Sequence, residues 1–112
     1  MIDISSRDEN GVEVVEVEGK LNTGASPDLD KYLTALIEDG ITKILLNLEY
    51  LDFIASTGLR VILATGKKLV GVGGKLVICN PNIMVMDVLK MSGFSQMFDV
   101  FDSEDDGLES FG

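Results

Sequence analysis

Apolar and polar positions change period along the chain, and each change marks an element. Residues 2–8 and 12–18 read as two short strands joined around Asn10 and Gly11, a pair that favours the positive backbone angles of a hairpin turn. The second strand alternates Val15, Glu16, Val17 and Glu18, so one face is buried and the other is wet. Beyond Gly24, Ser26 and Pro27 are placed to supply a helix cap and a first helical residue, and Asp28 adds negative charge to the first turn. Leu29, Tyr32, Leu33, Leu36 and Ile37 then fall on one face until Gly40 stops the helix. Lys43 to Leu48 is apolar at nearly every position, as in a parallel strand covered on both sides, and a right-handed crossover is the default for the helix before it. A loop from Glu49 to Ala55 follows and carries Asp52, Phe53 and Ile54 to the carboxyl end of that strand, where sites form in open α/β sheets.

A second helix is predicted from Ser56 to about Val70, burying Leu59, Ile62, Leu63, Gly66 and Leu69. The segment GVGGK at 71–75 lacks the spacing and the following Ser or Thr of a phosphate loop, so its glycines end the helix and lead into a strand from Lys75 to Asn80. Pro81 and Asn82 open a third helix, Ile83 to Met91, that is apolar almost all round. Its methionines Met84, Met86 and Met91 suit either a helix covered on two sides or a surface that grips a partner. Gly93 ends it, Phe98 to Phe101 form a last strand, and Ser103 to Asp106 resemble a capping box for a short helix with Leu108 and Phe111 turned inward. The pattern is that of one α/β domain over residues 1–112, a mixed sheet with an antiparallel N-terminal strand, covered by helices.

Composition removes several kinds of chemistry. The chain has no histidine and one cysteine, Cys79, which sits in an apolar run and reads as a small buried hydrophobe. Ser-His triads and common zinc ligand sets are therefore absent, no cofactor site is readable, and the chain reads as a non-enzyme. Nineteen acids against nine bases give a net charge of −10, a field that repels nucleic acid and anionic membranes and steers in a basic partner. No signal peptide is visible, and no apolar run approaches the ~20 residues that cross a bilayer, so a cytoplasmic location is expected.

The remaining candidate chemistry is at Ser56 and Thr57. A hydroxyl there can cap the helix by accepting a bond from an N–H two or three residues on, or the orphan N–H groups and the helix dipole can seat a phosphate carried by the serine. Arg60, four residues after Ser56, can pair with such a phosphate or stand as an ordinary surface arginine.

The stretch Ile54, Ala55, Ser56, Thr57, Gly58, Leu59, Arg60, preceded by Asn47, Leu48 and Glu49, resembles the signature of the STAS domain as found in bacterial anti-sigma factor antagonists. Gly19, Lys20, Leu21 and Asn22 upstream, and Gly73 to Asn80 and Met91 to Gly93 downstream, fall in the order of that family. The resemblance implies a mostly parallel sheet and phosphorylation at Ser56, with Thr57 as the neighbouring alternative. It implies a partner surface of Asn22, Asp52, Phe53, Ile54, Ala55, Ser56, Thr57, Gly58, Arg60 and Val61. The implied partners are an anti-sigma factor that is also a serine kinase using Mg-ATP, and a PP2C-type serine phosphatase that resets the system. Two positions depart from the family: Ala55 stands where an aspartate is frequent, and Asn22 where the upstream segment carries an acid. Ala55 favours a second reading, a constitutive interaction or scaffold module in which Ser56 is only a cap.

Overall fold

The computed structural model describes residues 2–112. Strands β1 (Ile2–Glu9) and β2 (Val12–Leu21) pair antiparallel from Ile2 opposite Gly19 to Glu9 opposite Val12. The turn between them uses Asn10 and Gly11, both at positive φ (54° and 88°), the geometry that a two-residue hairpin loop needs to match strand twist. Helix α1 (Ser26–Glu38) leads to β3 (Lys43–Asn47), which pairs parallel with β2, and β5 (Lys75–Cys79) pairs parallel with β3. A short β6 (Val100–Phe101) closes the row, giving the order β1-β2-β3-β5-β6.

One further strand, β4 (Leu51–Ile54), lies in the stretch read from sequence as a loop. It pairs parallel with the end of β2, which runs to Leu21 rather than stopping near Glu18. A four-residue strand buried only at its two ends carries no alternating signal, and its partner is distant in sequence (Leu51 opposite Gly19 is followed by Phe53 opposite Lys20 across a register shift).

Helices α2 (Ser56–Gly71) and α3 (Ile83–Met91) follow β4 and β5. The chain leaves α2 with the N–H of Gly74 bonded to the carbonyl of Leu69 at 2.7 Å, so the GVGGK glycines do form the exit into β5. A short helix that the sequence pattern does not announce, α4 (Phe94–Met97), follows the left-handed Gly93 and buries Phe94 against Phe98, ring centroids 4.8 Å apart.

The alternation of strand side chains builds two cores. Val15, Val17, Ile44, Leu46, Leu76 and Ile78 face α1, α2 and α3 in the main core, together with the fully buried Leu29, Leu33, Ile62, Leu69 and Leu89. Each such side chain contributes about 1.5–3 kcal/mol through loss of apolar contact with water. Val12, Val14, Leu45, Val77 and Cys79 point the other way and are covered by Phe101 and by Leu108 and Phe111 of the C-terminal segment, which begins with α5 (Glu104–Glu109). Ser103 caps α5 as expected, accepting from the Asp106 N–H at 3.1 Å. Arg7 on β1 pairs with Glu104 at the start of α5, and Lys75 donates to the Ser110 carbonyl at 3.1 Å near its end. Burial pushes the Cys79 thiol up to about 12, so it stays protonated at neutral pH and acts as packing. Among the described residues no helix is long and apolar enough to cross a membrane.

Candidate functional site

The site forms where β2, β4 and α2 meet. β4 delivers the chain to Ala55, whose N–H donates to the Leu21 carbonyl at 2.8 Å, so the start of α2 is tied to the end of β2. Gly58 makes that approach close: a Cβ there would lie 2.6 Å from Cγ of the buried Leu21 and 3.3 Å from its carbonyl oxygen.

The hydroxyls expected to cap α1 and α2 do not do so. Ala55, in extended conformation (φ −86°, ψ 164°), is the residue at the cap position of α2, and no side chain among the described residues bonds the free N–H groups behind it. Ser56 is instead the first helical residue and is exposed. The same shift occurs at α1, where Ala25 holds the cap position and Ser26 is buried as the first helical residue. There Asn22 holds the cap residue itself, its Oδ1 accepting from the Ala25 N–H at 2.9 Å. A pattern of apolar spacing locates a helix start to within a residue or so, and in both cases that residue decides the role of the hydroxyl.

Thr57 is placed differently from its neighbour. It is half-buried, with Oγ1 3.0 Å from the Ser26 hydroxyl and 3.5 Å from that of Thr23, while Ser26 in turn donates to the Asn22 carbonyl at 2.8 Å. The start of α2 is thereby joined to the start of α1.

Two shallow grooves lie around this start. One, of about 440 Å³, is lined by Lys20, Asn22, Asp52, Phe53 and Met84; the other, of about 390 Å³, by Thr23, Ser26, Pro27, Asp30, Thr57, Arg60 and Val61. Asn22, Asp52, Phe53, Thr57, Arg60 and Val61 of the expected partner surface are thus brought to one end of the sheet, with Ser56 exposed at the same helix start. Ile54 and Gly58 are buried and shape that surface from beneath. Lys20 and Met84 belong to it and were not singled out from sequence. Met84 is exposed because Asn82 fixes α3 beside β4, accepting from the Val85 N–H at 2.8 Å and donating to the Leu51 carbonyl at 3.1 Å. The oddly apolar α3 gave the only hint of it. Arg60 is exposed, and no ion pair within the described residues engages it.

The electrostatics are negative beside the site. Asp3, Glu18, Glu49 and Asp52 surround Tyr50, and the hydrogen bond and charge of Glu49 hold the Tyr50 phenol above its ordinary range. A basic approaching surface is favoured here.

Fold and site together define a small α/β domain that presents a helix start with an exposed serine. Residues 3–107 match the STAS domain. The chain is 33% identical over 102 residues to BtrV of Bordetella bronchiseptica, a candidate anti-sigma factor antagonist, the match covering 91% of this chain and 88% of that one. Its fold is similar to that of an anti-sigma factor antagonist from Mycobacterium paratuberculosis, with a TM-score of 0.92 at 24% identity over 98% of this chain and 93% of the other. It is similar as well to SpoIIAA, a Bacillus cell fate determinant, in its phosphorylated form, with a TM-score of 0.76 at 21% identity over 100% of both chains. The chain belongs to the STAS domain family, and its relatives there include anti-sigma factor antagonists.

Proposed function

We propose that the protein is an anti-sigma factor antagonist that works by partner switching and has no catalytic activity of its own. Unmodified, it binds an anti-sigma factor serine kinase through the start of α2 and the grooves beside it, and so frees a sigma factor. The kinase then transfers phosphate from Mg-ATP to Ser56: the Oγ–P bond forms, the bond from the γ-phosphorus to the bridging oxygen breaks, ADP leaves, and the serine proton passes to a base on the kinase. A PP2C-type phosphatase removes the phosphate and restores binding in the cytoplasm.

The observation that carries this reading is the exposed Ser56 at a helix start that no side chain caps. A phosphate there adds about 1.5–2 negative charges next to unpartnered N–H groups, where the dipole contributes about 0.3–1 kcal/mol in its favour, so the fold has no reason to rearrange. Burying that dianion in an interface costs several kcal/mol, which is enough to release the partner.

Incubation with the kinase and Mg-ATP followed by mass-spectrometric site mapping tests the reading. Phosphate on Ser56, with loss of kinase binding, is the expected result. A kinase that binds the chain and transfers nothing would instead favour the constitutive scaffold module, for which the missing carboxylate at Ala55 speaks.

A further inference from the structure

We propose that Ser26 makes Ser56, and not Thr57, the phosphate acceptor, by holding the Thr57 hydroxyl in an internal hydrogen bond; the proposal rests on the phospho-switch reading above. Two hydroxyls stand side by side at the start of α2, and the backbone offers both the same helix dipole. Their side-chain partners distinguish them. Ser26 is only 4% exposed, and its Oγ donates to the Asn22 carbonyl at 2.8 Å. A hydroxyl has one proton, so Ser26 can only accept from Thr57, whose Oγ1 lies 3.0 Å away. The Thr57 proton is therefore committed to a buried oxygen, with the Thr23 hydroxyl at 3.5 Å as a second, longer acceptor.

Phosphoryl transfer requires the acceptor oxygen to meet the γ-phosphorus while a base on the kinase takes its proton and ADP departs. Thr57 directs that proton into the protein, away from any base on a docked partner. Ser56, about 100° around the helix, is exposed and free to offer its proton outward. Ser26 is thus a specificity-determining residue that acts through Thr57 from another helix, 30 positions away from the acceptor.

Site mapping by mass spectrometry after incubation with the anti-sigma factor kinase and Mg-ATP tests this in three chains. The wild type is expected to carry its phosphate almost wholly on Ser56, with a trace on Thr57. Ser26→Ala frees the Thr57 hydroxyl and is expected to raise the share of phosphate on Thr57 at least tenfold, and Ser26→Cys, a weaker acceptor of similar volume, to give an intermediate share. An unchanged Ser56 to Thr57 ratio in both Ser26 variants overturns the selector role while leaving the switch intact; a wild type that takes no phosphate overturns the switch and the selector with it. Amide exchange, read on the unpartnered chain, guards against misfolding: Leu45 and Val77 in the sheet should exchange as in the wild type in every variant.

Discussion

Helices α2 and α3 start at the same end of the sheet, each after a parallel strand, yet their first turns are built for different purposes. The start of α3 is closed: Asn82 accepts from Val85 and also donates to the Leu51 carbonyl, so every part of that side chain is committed to holding the helix against β4. The start of α2 is open, with Ala55 at the cap position and an exposed serine behind it. What anchors α2 is set back from the surface, in the Ala55 to Leu21 backbone bond, the Gly58 contact and the Thr57 to Ser26 bridge. A turn can be rigid without being capped, and the N–H groups left over are then available to something else.

The largest expected effect separates the two starts by function. Ser56→Asp should weaken partner binding by about 100-fold, or about 2.7 kcal/mol, while the melting temperature stays within a few degrees of the wild type. Titration calorimetry and thermal denaturation on the same sample read both quantities, and retained affinity would show that the open turn is not the contact surface. Gly58→Ala comes next: a methyl group 2.6 Å from a fully buried leucine should destabilise the fold by about 1–3 kcal/mol in denaturant titration, despite the better helix propensity of alanine. Asn82→Ala removes the cap of α3 and its tie to β4, and should cost about 1–2 kcal/mol with little change in the phosphorylation of Ser56. The smallest effect has the opposite sign. Ala55→Asp would close the α2 start as Asn82 closes that of α3, raising stability by about 0.5–1 kcal/mol; an unchanged or lower melting temperature would mean that the α2 turn cannot accept a cap.

The sequence made most of the fold legible because most of it is local. The hairpin followed from Asn10 and Gly11, α1 from the spacing of Leu29 and Leu33, the start of α3 from Pro81 and Asn82, and α5 from Ser103. What it hid was non-local or short. β4 exists because the end of β2 accepts it as a neighbour, and α4 is a single turn with no room for a periodic signal. The site was legible in residue identity and less so in role. Hydropathy spacing treats Ser56 and Thr57 alike, and in the structure exposure and the contact of Thr57 with Ser26, on a different helix, set them apart. Likewise Met84 joins the surface around Phe53 through the placement of α3, which no spacing within α3 encodes.

The Leu21 to Gly58 contact bears on how such a chain can diverge. The two residues come from the separate segments Gly19 to Asn22 and Ile54 to Arg60, which read as unrelated motifs on the page but share one packing site. A descendant that acquires a side chain at 58 must shed bulk at 21 in the same lineage or lose the seat of the α2 start, so the two positions should be inherited as a pair.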